Sequence, residues 1–142
     1  MIGKTMDEIE VGDTARFSKT VTEEDVYFFA GVTGDLNPSH LSEAFAKNTL
    51  FKARTAHGML AGGFISAVLG MHLPGPGTIY IRQELNFLAP IRFGDKITAK
   101  VRVIEKIPRK SLLRLRTTCT NQDGIMIVDG EALVSPPKSL KR

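Results

Sequence analysis

A chain of 142 residues with 42% hydrophobic and 24% charged side chains is long enough to bury one core and too apolar to stay disordered. A single cysteine, Cys119, excludes an intrachain disulfide framework and a cysteine-cluster metal site. The net charge of +4 would suit a polyanion, but Trp is absent, Tyr occurs twice and no nucleic-acid motif appears, so the basic residues read first as a solvated face.

The segment Met1 to Gly12 carries Asp7, Glu8 and Glu10 and lacks the apolar core of a signal peptide. No run approaches the length of a membrane span, so a cytoplasmic protein without membrane contact is expected. No repeat, low-complexity stretch or linker breaks the chain, which reads as one domain over residues 1–142. Thr14 to Val21 alternates weakly and predicts a first strand. Thr22 is a good helix N-cap, with Glu23, Glu24 and Asp25 in the turn where the helix dipole favours acids. That helix should run to about Gly31 and bury Val26, Phe29 and Ala30. Thr33 to His40 is turn chemistry, and Leu41 to Asn48 predicts a short helix.

His57 to Leu73 is the longest apolar stretch and predicts a buried helix, despite the low propensity of Gly62-Gly63. Pro74-Gly75-Pro76-Gly77 ends it. From there the period changes to two. Ile79 to Phe87, Ile97 to Val103, Leu113 to Cys119 and Met126 to Val134 read as strands, with a hairpin turn at Asn121 to Gly124 and a stop at Pro136-Pro137. Helices segregated from a run of antiparallel strands indicate an α+β fold, here a sheet wrapped around one apolar helix.

Gly34-Asp35-Leu36-Asn37-Pro38-Ser39-His40 brings a carboxylate, an amide and an imidazole into one Pro-stiffened loop. Asp35 and His40 held close together suit acid and base work on one water or substrate. The same spacing is equally compatible with an Asx-type helix cap beside a surface histidine. His57-Gly58-Met59 opens the apolar helix, where backbone N–H groups lack partners and the absence of a Cβ at Gly58 lets an oxygen approach. That suits a developing enolate oxygen, although a glycine there also serves plain packing. His57 reads as a second acid–base group or as a capping or core histidine, and His72 near the helix end carries no assigned role. The three histidines lack zinc-ligand spacing, and the chain has neither a phosphate-binding glycine loop nor a nucleophile elbow. No metal and no cofactor is expected. Cys119 reads as a packed strand residue.

Taken in order, these motifs resemble the MaoC-like, (R)-specific enoyl-CoA hydratases of the hot dog fold. Asp35, Asn37, Pro38 and His40 match the family's Asp-x-Asn-Pro-x-His loop, and His57, Gly58 and Met59 match its His-Gly-Met. Gly77, Ile79 and Tyr80, then Phe87 and Pro90, then Gly94 and Asp95 follow in register, so the resemblance runs from about Glu10 to Val134. It implies that Asp35 and His40 bind the water that adds to a trans-2-enoyl-CoA, that Asn37 orients the site, and that the Gly58 N–H binds the thioester oxygen. It also implies an acyl pocket involving Ser66 and His57. Gly62 and Gly63 replace bulkier residues of the polyhydroxyalkanoate-linked branch, which predicts a roomier or differently shaped acyl pocket. The family further implies a homodimer or higher homo-oligomer whose sheets join, a contact that the Ile79 to Phe87 strand and its neighbours could supply. Arg109, Lys110, Arg114, Arg116, Lys138, Lys141 and Arg142 could then meet coenzyme A phosphates or an acidic acyl carrier protein. A dehydratase acting on that carrier is the nearest alternative, ahead of a hot dog thioesterase or a non-catalytic binding module.

Overall fold

In the computed structural model, which describes residues 2–139, five strands form one antiparallel sheet around a single long helix. The strands of the sheet are β1 (Thr14–Thr20), β3 (Ile79–Phe87), β5 (Lys96–Ile107), β6 (Leu112–Thr120) and β7 (Met126–Ser135), in the order β1-β5-β6-β7-β3. Alternation decides the inner face. Ile97, Ala99, Val101 and Val103 of β5, Leu113, Leu115 and Cys119 of β6, and Val128, Ala132 and Val134 of β7 are all buried. The helix they enclose, α4 (Met59–Met71), contributes Ala61, Phe64, Ile65, Val68 and Leu69. It lies chiefly on β5, with β1 and β6 beside it. This is the hot dog arrangement. Side chains of that size contribute about 1.5–3 kcal/mol each on full burial, an upper estimate that still makes the helix–sheet contact the main source of stability.

The hairpin at Asn121–Gly124 forms as expected: the Asn121 side-chain oxygen accepts from Asp123 and Ile125 N–H at 2.9 and 3.0 Å. Three departures concern the other side of α4. The first helix, α1 (Glu23–Thr33), continues two residues beyond Gly31, and Phe29 is only half-buried because it leans on the His57 ring instead of entering the core. The anticipated turn over Thr33 to His40 closes as a short helix, α2 (Pro38–Leu41), and the helix anticipated over Leu41 to Asn48 shrinks to α3 (Glu43–Ala46), because Ser42 caps a new start by accepting from Phe45 N–H at 3.2 Å. A second, two-stranded sheet of β2 (Thr55–Ala56) and β4 (Ile91–Arg92) was not anticipated. Strands of two residues carry no periodicity to detect.

Candidate active site

The loop from α1 to α2 is fixed by its own backbone. α1 ends at Gly34 with φ +80°, a conformation that favours glycine, and the Gly34 N–H closes on Ala30 O at 2.8 Å. Asp35 N–H then donates to Thr33 Oγ1 at 3.1 Å, and Asn37 N–H donates to Asp35 Oδ1 at 3.3 Å, which turns the carboxylate back over the loop. Asn37 caps α2 by accepting from Ser39 N–H at 3.0 Å. Its side chain therefore orders the loop locally, so its part in orienting the site is indirect.

His40 is aimed by the core. Its Nδ1 lies 2.6 Å from Thr55 O. A carbonyl only accepts, so Nδ1 carries the proton, and in the neutral ring Nε2 keeps a free lone pair. His57, buried at the end of β2, reaches back with Nε2 to Asp35 O at 3.0 Å, and its ring stacks on His40 with centroids 4.0 Å apart. His57 Nδ1 is buried without a hydrogen-bond partner among the described residues. One side-chain donor atom from each of Asp35, His40 and His57 lies within 4.8 Å of the others. The trio keeps His40 Nε2 and His57 Nδ1 open, because the other nitrogen of each imidazole meets a backbone carbonyl. It suits proton transfer through a bridging water.

Gly58 is the N-cap of α4, and neither its N–H nor that of Met59 meets a backbone acceptor among the described residues. A Cβ at Gly58 would sit 3.1 Å from the Phe87 ring, so β3 walls this donor closely. A groove of about 410 Å³ lies between α4 and β3, lined by Met59, Gly62, Tyr80, Gln83 and Leu85, and Asp35, His40, His57 and Gly58 do not line it. A Cβ at Gly62 would meet Leu85 Cδ1 at 3.2 Å, so Leu85 lies against the space that a side chain there would take. Gly63 and Ser66 are exposed on the next turns of the same helix, and no atom comes within 4 Å of a Cβ built on Gly63. At the far end, Gln83 accepts from the Tyr80 hydroxyl and donates to the buried Thr117 at 2.8 Å. Burial pushes the Tyr80 phenol up to about 12, so it stays a neutral donor.

Arg114 and Arg116 do not line this groove. Alternation places Arg114 and Arg116 on the outer sheet face, where Arg114 pairs with Glu105 and Glu131 at 3.0 and 3.4 Å and Arg116 with Asp129 at 3.2 Å. Arg109 and Lys110 sit exposed in the β5–β6 connection, Lys138 is exposed near the chain end, and Lys141 and Arg142 lie outside the described residues. Cys119 points into the core toward Ala61 O, and burial raises its thiol to about 12, which removes it as a nucleophile. Sequence reasoning missed Thr55, which aims His40 and stands in no motif, and it matched Phe87 to a motif without giving it the role of walling Gly58.

The geometry agrees with what the chain is similar to. Residues 7–123 match the MaoC like domain. The chain belongs to that family. It is 50% identical over 131 residues to an (R)-specific enoyl-CoA hydratase of Rhodospirillum rubrum, covering 92% of this chain and 90% of that protein. It is 52% identical over 132 residues to a 3-hydroxybutyryl-CoA dehydratase of Methylorubrum extorquens, covering 93% and 83%. Its fold overlays the unliganded R-hydratase PhaJ1 of Pseudomonas aeruginosa with a TM-score of 0.91 at 44% identity, over 96% of this chain and 88% of that one.

Proposed function

We propose that this MaoC-family chain is an (R)-specific enoyl-CoA hydratase that adds water reversibly to a trans-2-enoyl-CoA, with Asp35 and His40 acting on the same water. The observation that carries this is the pairing of a loop carboxylate with an imidazole whose outer nitrogen alone is free, within 4.8 Å. A water between them loses its proton to one partner as its oxygen bonds to C3. The electron pair of the double bond moves toward the thioester, whose oxygen is met by the N–H at Gly58, and the other partner, entering the step protonated, delivers its proton to C2 on the same face, after which one proton passes between the partners to reset them. The net change is one water consumed and one (R)-3-hydroxyacyl thioester formed. His57, Ser66, Gly62 and Gly63 line or support the acyl side, with the chain lying along the α4–β3 groove.

The same reading extends to assembly and carrier. β3 is a sheet edge with Ile79, Ile81 and Phe87 more than half exposed, and Met59 of α4 is exposed beside it. Unpaired edge strands with apolar side chains favour pairing with another copy, which supports a homodimer that would also close the groove. Coenzyme A is the favoured carrier, in a cytoplasmic setting. The deciding experiment follows crotonyl-CoA at the enoyl absorbance with chiral analysis of the product. Wild type should give the (R)-3-hydroxy product, and Asp35→Asn and His40→Gln should each lose roughly 10²-fold or more in turnover. An (S) product, or equal turnover in either variant, would end the proposal. Crotonyl-carrier protein in place of crotonyl-CoA decides the carrier.

A further inference from the structure

Arg54 stands one residue before Thr55, the residue whose carbonyl aims His40, and its guanidinium is the meeting point of three elements. It donates to Glu23 at 2.5 Å and to the Tyr27 hydroxyl at 3.2 Å, both on α1. It donates through Nε to Glu43 of α3 at 3.0 Å, and its own backbone N–H reaches the other oxygen of that carboxylate at 3.3 Å. The guanidinium carbon lies 4.8 Å above the Phe93 ring. Only 15% of the Arg54 side chain is exposed, against 50% and 63% for the two acids. α1 ends just before Asp35, and α3 begins just after α2, which holds His40. The two flanks of the catalytic loop are thus tied to one side chain just before the strand that orients His40.

We infer that Arg54 is a positioning residue for hydration: it clamps α1 and α3 to β2 and so holds Asp35 and His40 at the separation one water spans. The planar fork is needed, because it reaches two carboxylates and a hydroxyl while its carbon stays over the Phe93 ring. A lysine has no such fork. The acids are exposed, and ion pairs of that kind contribute little to stability, so the clamp's effect belongs in catalytic geometry more than in folding. The inference rests on the proposed hydration.

The test measures kcat, KM and the thermal midpoint for crotonyl-CoA hydration by wild type, Arg54→Met, Arg54→Lys and the double variant Glu23→Gln/Glu43→Gln. Arg54→Met and the double variant should both lose roughly 10-fold or more in kcat, since misplacement of reacting groups by about an ångström costs up to about 10²-fold. Their KM should stay within about twofold, and Arg54→Lys should fall between them and wild type. An Arg54→Met enzyme that keeps about half the wild-type kcat overturns the inference. So does a raised KM with kcat intact, which would make Arg54 a contact to the carrier. A double variant at the wild-type rate beside a slow Arg54→Met also overturns it, because the guanidinium would then act without its acids. Should Arg54→Met fail to fold, the double variant decides alone, since it alters only the two exposed carboxylates. A wild-type chain that does not hydrate crotonyl-CoA would overturn the hydration reading and this inference with it.

Discussion

On β5 and β6 the inward side chains Ile97, Ala99, Val101, Val103, Leu113 and Leu115 have no exposed surface, whereas no residue from Gly34 to Ser42 is fully buried. The sheet is held by apolar area with many small contributions. The loop is held by a handful of polar bonds: His40 to Thr55, His57 to Asp35, Arg54 to Glu23 and Glu43. The first kind of support resists unfolding and tolerates little change in volume. The second fixes geometry while adding little to the free energy of folding. Stability and chemistry should therefore be separable by mutation in this molecule.

The largest effect should come from the loop alone. Asp35→Asn and His40→Gln, inactive by roughly 10²-fold or more, should shift the thermal midpoint by no more than about 2 °C, because both side chains are at least partly exposed. A large drop in midpoint would mean that the pair is structural. The converse is Leu115→Ala on the inner face of β6. It should cost about 2–5 kcal/mol in a denaturant titration and leave turnover near wild type at temperatures where the variant stays folded. Lost turnover in the folded variant would show that the sheet and the loop are coupled. His57→Leu tests the boundary, since His57 is buried yet touches both catalytic groups. Losing its bond to the Asp35 carbonyl should cost about 1 kcal/mol of stability, with turnover reduced by roughly 10-fold.

The same division explains what the sequence disclosed. Period-two alternation placed β1, β3, β5, β6 and β7, and the apolar run of α4 was visible because burial on most sides leaves a continuous hydrophobic record. The Asp35 to His40 spacing was readable as a candidate pair but not as a site, since an ordinary helix cap gives the same residues. What the sequence hid was long-range. Thr55 O lies fifteen residues from His40, and Glu23 and Glu43 lie thirty-one and eleven from Arg54. Backbone acceptors leave no signature in residue type, and a charged triad spread over such distances resembles solvated surface. Gly62 carries a related lesson: a missing side chain signals space only where no neighbour comes close, and Leu85 Cδ1 would lie 3.2 Å from a Cβ there.

The smallest effect concerns how α1 delivers Gly34 to its place. Asp25 completes a capping box: it accepts from Thr22 N–H at 2.9 Å while Thr22 Oγ1 accepts from Asp25 N–H at 3.2 Å, and Lys19 donates to it at 2.8 Å. Desolvation by burial pushes the Asp25 carboxyl up, but the bonds from Lys19 and Thr22 outweigh it and hold the group below its usual value. A carboxyl depressed in the folded state adds stability that is fully present above its unfolded value of about 3.9 and is lost as pH falls through the folded value. Asp25→Asn should thus lower the midpoint at pH 7 by about 2–4 °C, the size of a lost N-terminal cap, and the gap to wild type should close as pH falls through the depressed folded value. A gap that stays constant from neutral to acid pH would assign the loss to the amide's packing instead of the charge, and would make the head of α1 another place where shape matters more than electrostatics.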